Sequence, residues 1–231
     1  MNTLTTIPVA TTLATLHRNA ETSDRELMEA MTALLNTPET SSDQVITDML
    51  ARERADYRSV YRQYAGNFLA VSPRYGQFLY MMARTCKARR IVEFGTSMGI
   101  STIYLAAALR DNGGGQLIGS EIESTKAAQA RENIGAAGLA DLVDIREGDA
   151  LETLRDIDGP VDLLLLDGAF SLYLPILKLI EPRLVPGAAI LGENAFDQDY
   201  LGYLDDPTHG YMSQALPLND GRGNAFAVRV G

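Results

Sequence analysis

The sequence predicts an α/β protein: a doubly wound, mostly parallel sheet of seven strands, closed by a C-terminal antiparallel hairpin and fronted by a helical cap. Three observations carry this. From residue 89 onward, β-rich runs alternate with amphipathic helical ones, the order that builds right-handed βαβ units on a parallel sheet. The run VDLLLL at 161–166 is apolar without alternation, as befits a strand covered on both faces. At the end of the chain, SQALPLND and NAFAVRV are joined through GRG, which reads as a hairpin.

Composition bounds the rest. The 231 residues, 46% hydrophobic and 22% charged, suit one α/β domain with a sizeable core. No apolar run approaches the roughly 18–20 residues of a membrane helix. The opening MNTLTTIPVATTLATLHRNA lacks the basic start and long apolar middle of a secretory signal. The single cysteine, Cys86, excludes an internal disulfide and reads as a small core residue, so the expectation is a cytoplasmic protein with no membrane partner. Thirty acids against twenty bases give a net charge of −10. That field repels polyanions and argues against nucleic acid as a partner. The basic run KARR at 87–90 falls where a helix should end, and the helix dipole favours cations there.

Residues 1–20 read as an N-terminal arm, mobile or swapped, with His17 in solvent. Residues 21–88 read as a helical cap on the same domain as 89–231. SDRELMEAMTALLN opens on Ser23 with Glu26 three residues later, a capping-box pattern. From 41 to 69, Val45, Met49, Tyr57, Tyr61 and Tyr64 form one helical stripe. Its tyrosines read first as packing, with one able to border a substrate pocket. Pro73 starts PRYGQFLYMMARTC, where Met81 and Met82 read as core filler. Strands follow in IVEFG, QLIGSEI, LVDIREG, VDLLLLDG and AAILGEN, then the hairpin. Between them STIYLAAALRDN, STKAAQARENIGAAG, ALETLRDI and LYLPILKLIEPRL read as helices.

Ligands of a doubly wound sheet bind beyond the carboxyl ends of its strands, and acids and glycines stand there. In IVEFGTSMGIST, Glu93 precedes Gly95 and Thr96, and Gly99 opens a helix with Ser101 in its first turn. The G-x-x-x-G spacing is not that of a dinucleotide site. A carboxylate beside the loop repels pyrophosphate and attracts an ammonium. In LIGSEIE, Glu121 stands where an acid takes a ribose diol, with Ile122 beside a base. In REGDAL, Asp149 suits an adenine amino group and Ala150 leaves room. Each acid alone is more often a helix cap. Three at successive strand tips describe a nucleoside carrying an amino acid, S-adenosylmethionine.

The stretches VSPRYGQFLY, IVEFGTSMGIST, GSEIE, EGDALETL, LLLLDGAFSLY, LGENAF and LPLNDG resemble the catechol and caffeoyl-CoA type O-methyltransferases over about residues 68–231. The resemblance implies a Rossmann-like methyltransferase fold, a homodimer and a small-molecule acceptor. It implies a donor site built from Val71, Glu93, Gly95, Ser101, Glu121, Asp149 and Ala150. It also implies a divalent metal such as Mg²⁺, held by an aspartate after the fourth strand and an Asp-Asn pair after the fifth, which lowers the pKa of the attacking oxygen. Asp167 and Asn194 match that pattern, but Glu193 replaces the middle aspartate. The family's Asp-x-x-Lys base is absent, because Phe170 stands three beyond Asp167, while Tyr173 matches the family's tyrosine. His209 is the one titratable group in the tail suited to replace the lysine, and Tyr200, Tyr203 and Tyr211 are further pocket candidates.

Asp167 therefore has three open readings: metal ligand, direct contact to donor or acceptor without metal, or helix cap. The functional expectation is a methyltransferase acting on a small molecule at oxygen. The alternative keeps the donor but cyclises or cleaves it, releasing methylthioadenosine. A non-enzymatic donor-binding sensor is the third reading.

Overall fold

The computed structural model describes residues 2–35, 41–218 and 223–231. Residues 219–222, which include most of the hairpin link, and Asn36 of the second helical run lie outside the described residues. In chain order the front region holds α1 (Ile7–Ser23), α2 (Arg25–Leu35), α3 (Ser42–Arg62) and α4 (Pro73–Thr85). Then come β1 (Arg90–Phe94), α5 (Ile100–Asp111), β2 (Gln116–Glu121), α6 (Ser124–Ala136), β3 (Val143–Glu147), α7 (Ala150–Thr153) and β4 (Val161–Leu166). The chain finishes with α8 (Tyr173–Ile180), β5 (Leu184–Gly192), α9 (Gln198–Asp205), β6 (Tyr211–Leu216) and β7 (Asn224–Arg229).

Among the described residues seven strands form one sheet in the order β3-β2-β1-β4-β5-β7-β6. The first five pair in parallel, and β7 pairs antiparallel with both β5 and β6. The sheet matches the predicted class. Its centre is fixed by the leucines of β4. Leu163 and Leu165 enter the core on one face, and Leu164 and Leu166 the core on the other, with none of the four exposed. Alternate side chains point to opposite faces of a strand, so a run of four leucines requires helices on both sides. Strand order reverses between β1 and β4, and a crevice opens at such a switch point.

The N-terminal arm is corrected. Residues 7–23 form α1, and Val9, Leu13, Leu16 and Ala20 are buried in the same core as Tyr75, Leu79 and Ile103. Their spacing of four, three and four is one helical face, which the surrounding threonines obscured. Ahead of α1, Thr3 donates to Asp111 through its backbone N–H at 2.9 Å and its hydroxyl at 2.6 Å. His17 is not solvated: its Nε2 lies 3.2 Å from the Tyr104 hydroxyl, and burial lowers its pKa.

The capping box at Ser23 is also corrected. Ser23 ends α1, and its hydroxyl donates to the Gly66 carbonyl at 2.8 Å. The buried neighbour Asp24 instead accepts the backbone N–H groups of Phe68 and Leu69, each at 2.8 Å, and the Asn67 amide at 3.2 Å. One carboxylate thus anchors the segment that leads into Val71. Asp24→Ala strands two backbone donors, so a stability loss of about 2–4 kcal/mol is expected, read as a lower urea midpoint. An unchanged midpoint would refute the anchor.

Two further corrections concern the cap. The stripe from 41 to 69 is helical only over α3, which leaves helical geometry at Asp56. Met81 is 58% exposed, while Met82 and Cys86 pack at the edge of the core.

Candidate functional site

A cleft open to solvent lies beyond the carboxyl ends of β1, β2, β3 and β4, where small-molecule sites of such sheets are built. Its walls include Val71, Gly95, Thr96, Ser101, Glu121, Ile122, Asp149, Ala150 and Asp167. These nine expected site residues therefore share one cavity. Glu93, Tyr173, Glu193, Asn194 and His209 do not line it.

The loop after β1 shapes the floor. Gly95 and Gly99 adopt φ of +92° and +87°, conformations that L side chains rarely tolerate. Gly95 is further constrained, because a Cβ there would lie 2.1 Å from the Asp167 carbonyl oxygen. Close packing of the β1 and β4 tips thus demands this glycine. Beneath the loop Glu93 is fully buried. Its carboxylate accepts hydroxyl protons from Ser101 at 2.7 Å, Thr102 at 2.5 Å and Thr96 at 3.1 Å. Burial pushes its pKa up to about 7, the three hydroxyls pull it down, and the charge of Glu121 adds to the rise. Glu93 faces the cavity only through Ser101 and Thr96, not with its own oxygens.

Glu121 ends β2, buried but at the cavity wall. One oxygen accepts the Ser97 N–H at 2.7 Å and the other the Glu123 N–H at 2.8 Å. Burial raises its pKa, while backbone N–H groups and the charge of Lys126 oppose the rise. Two backbone donors orient the carboxylate and leave the rest of its roughly four lone-pair sites for a ligand. Lys126, buried in the first turn of α6 and lining the same wall, was missed. A lysine five residues after the strand-tip acid was the available signal.

Asp149 caps α7 by accepting the Leu151 N–H at 3.0 Å. Its other oxygen accepts the Tyr57 hydroxyl at 2.5 Å and the Arg58 guanidinium, with Nε at 3.1 Å. Burial alone would raise its pKa, but these hydrogen bonds outweigh it and the carboxyl titrates low. The cap reading therefore holds for this acid, which also lines the cavity. Tyr57 and Tyr61 line the cavity, so two tyrosines of the α3 stripe border the pocket.

At the β4 tip, burial lifts the Asp167 carboxyl well above the ordinary range, and the charges of Glu193 and Glu93 add to it. Glu193 and Asn194 follow β5, the neighbouring strand. Asn194 sits at φ +49° and its side-chain amide donates to the Glu193 carboxylate. Close by in electrostatic terms is the buried Tyr75 hydroxyl, which has no hydrogen-bond partner among the described residues and feels both carboxylates. Two mutually repelling carboxylates with a side-chain amide nearby are donor groups of the hard type that Mg²⁺ takes, although Glu193 and Asn194 do not line the cavity and, among the described residues, no three His, Cys, Asp or Glu side chains are grouped to hold a metal ion.

The other catalytic expectations are corrected. Tyr173 is fully buried and donates to the Glu193 carbonyl at 2.5 Å, with its ring against Phe94, Phe170 and Tyr200. It props the β5 tip from behind. His209 stacks on Tyr203, ring centroids 3.8 Å apart, with Nδ1 2.9 Å from the Tyr203 carbonyl oxygen. The hydroxyls of Tyr203 and Tyr211 donate to Glu181, and Tyr200 is buried. The tail therefore closes on its own cluster, outside the cavity.

Known proteins agree with this geometry. A family model described as a methyltransferase domain matches residues 92–195. A catechol O-methyltransferase of Niastella koreensis is 37% identical over 54% of this chain and 58% of its own. That of Mycobacterium tuberculosis is 40% identical over 43% of this chain and 44% of its own. The chain thus spans about half the length of these curated relatives. Among solved structures, cofactor-bound Rv0187 from MTB superposes with a TM-score of 0.65 at 26% identity, covering 87% of this chain and 95% of that one. Glycine loop, strand-tip acids and strand order accord with these matches: the chain carries a region, residues 92–195, that matches a methyltransferase domain, and it is similar in sequence to catechol and caffeoyl-CoA O-methyltransferases.

Proposed function

We propose that this protein binds S-adenosylmethionine and moves its methyl group to an oxygen of a small molecule by in-line displacement. The observation that carries the reading is Glu121: a buried carboxylate at a strand tip, oriented by two backbone donors and turned to a cavity. Such a group suits a vicinal diol, which offers two hydroxyl protons in parallel.

In this reading Glu121 takes the donor's ribose. Ile122 and Ala150 flank its base, with Asp149 at the base's amino edge. Glu93 acts on the donor's ammonium at one remove, its negative charge presented through Ser101 and Thr96. Val71, Gly95 and Thr96 complete the wall. Asp167 faces the acceptor end, where fixing the reacting oxygen in line with the methyl carbon supplies most of the rate. Asp167, Glu193 and Asn194 would hold Mg²⁺ or another hard cation, which when bound lowers the pKa of an acceptor hydroxyl. Pairing of two copies belongs to the same proposal, with exposed Ile7 and Leu34 on the helical front offering apolar surface.

Calorimetric titration with S-adenosylmethionine tests the donor site. Glu121→Ala removes two charge-assisted hydrogen bonds, so binding is expected to weaken about 100-fold or more. Equal binding by wild type and variant would remove the assignment. Incubation with donor and catechol then reads the chemistry. S-adenosylhomocysteine formed only with acceptor supports transfer; methylthioadenosine formed without acceptor overturns it in favour of a cyclase or lyase.

A further inference from the structure

Beyond the strand tips, α3 places a further buried acid behind the cavity wall. Glu53 is 1% exposed. One of its oxygens accepts the Ser171 N–H at 2.9 Å, from the turn after Asp167, and the other accepts the Tyr61 hydroxyl at 3.0 Å. That hydroxyl also lies 3.3 Å from the Gly168 carbonyl oxygen, so Tyr61 has one proton to share between two acceptors. Tyr61 and Asp167 line the same cavity, and the Asp167 charge is felt at Tyr61. Phe170, next to the Ser171 contact, can hold no proton.

We propose that Tyr61 and Glu53 form the proton-accepting pair for the methyl acceptor, Tyr61 meeting the acceptor hydroxyl and Glu53 receiving the proton behind it. The inference rests on the O-methyl transfer reading above. The acceptor hydroxyl gives its proton to the Tyr61 oxygen while the Tyr61 proton passes to Glu53. The acceptor oxygen's electron pair forms the new C–O bond. The methyl–sulfur bond breaks with its pair remaining on sulfur, so the sulfonium becomes a neutral thioether and one proton rests on Glu53. Two observations suit the pair to this work. The oxygen of Tyr61 donates toward Glu53 and keeps lone pairs for an incoming hydroxyl. Burial raises the Glu53 pKa, with hydrogen bonds from Ser171 and Tyr61 only partly opposing it, which moves a carboxylate toward the range of an effective base. Among the described residues, Asp167 lines the same cavity as Tyr61, Tyr64 flanks it, and Arg54 turns away to Asp197 and Asp199.

The test measures turnover of catechol with S-adenosylmethionine across pH, alongside donor affinity by calorimetry. Glu53→Gln keeps an oxygen for the Ser171 N–H but cannot take a proton. It is expected to lower kcat about 100-fold, leave KM and donor affinity within about twofold, and abolish the wild-type fall in rate toward acid pH. Tyr61→Phe should lose a similar factor, and Glu53→Asp should recover part of it. Should Glu53→Gln fail to fold, Tyr61→Phe and Glu53→Asp decide the question through the same pH profile. Wild-type turnover with unchanged kcat and pH profile in the variants overturns the pair. Wild type that binds the donor but methylates no hydroxyl compound overturns the transfer reading, and the pair with it.

Discussion

Gly95→Ala is expected to destabilise the protein by about 2–5 kcal/mol, combining roughly 1–2 kcal/mol of left-handed strain with about 1–3 kcal/mol of overpacking. The steric part is specific. At φ +92° the new methyl would point at the Asp167 carbonyl oxygen, 2.1 Å away, with the Gly168 Cα at 2.8 Å. Neither is a flexible side chain that can swing aside. Relief requires the β1 loop to part from the β4 tip, breaking the Asp167 N–H bond to the Phe94 carbonyl at 2.8 Å or the Gly95 N–H bond to Ser120 at 3.1 Å. Either break moves Thr96 and Asp167, two walls of the cavity, so donor affinity should collapse with stability. Gly99 supplies the control. Its φ is also positive at +87°, yet a Cβ there would sit 3.4 Å from Ala130, so Gly99→Ala should show the strain alone, about 1–2 kcal/mol. Urea unfolding of both variants, with calorimetric titration of the donor, reads the difference. Equal losses at the two positions would show that contact with the β4 tip plays no part.

What the sequence revealed followed from strand physics. Four leucines in a row admit no exposed face, and acids at the ends of successive parallel strands are carried to one edge by topology alone. Glu121 and Asp149 were therefore legible as neighbours although 28 residues separate them. Side-chain partners were not legible in the same way. Glu93 lies at its predicted strand tip, but three hydroxyls, two of them on the following helix, wall it from the cavity. Nothing in its spacing distinguishes a carboxylate that meets a ligand from one that braces the loop beneath it. The contribution of α3 was hidden more deeply. Its stripe of tyrosines suggests packing, and only the break at Asp56 and the long-range contacts to Asp149 and Ser171 turn Tyr57 and Tyr61 toward the pocket. His209 failed for the converse reason. Its place as a titratable group in the tail says nothing of its neighbours, and stacking on Tyr203 holds it in a separate cluster.

The buried acid beneath the loop carries its own consequence for stability. Glu93 titrates near 4.5 when unperturbed and at about 7 in the fold, chiefly because burial disfavours its charge. Between those values the folded chain binds more protons than the unfolded chain, so stability must fall as pH rises through the window. The contribution is fully present below pH 4.5 and lost above pH 7, and a rise from 4.5 to about 7 corresponds to about 3 kcal/mol. Glu93→Gln removes the titration while keeping an oxygen for Ser101 or Thr102, whose hydroxyls rotate freely enough to accept from the new amide. Urea unfolding at pH 5, 6, 7 and 8 should therefore give the variant a flatter profile, with the gap between pH 5 and pH 8 smaller by about 2.5 kcal/mol than in wild type. The same charge should matter to the donor. An ammonium bound beyond Ser101 favours ionised Glu93, so S-adenosylmethionine binding near pH 6.5 should release protons from wild type and fewer from the variant. Parallel stability profiles would place the Glu93 pKa near its unfolded value and leave the hydroxyl cage paying the full cost of burial.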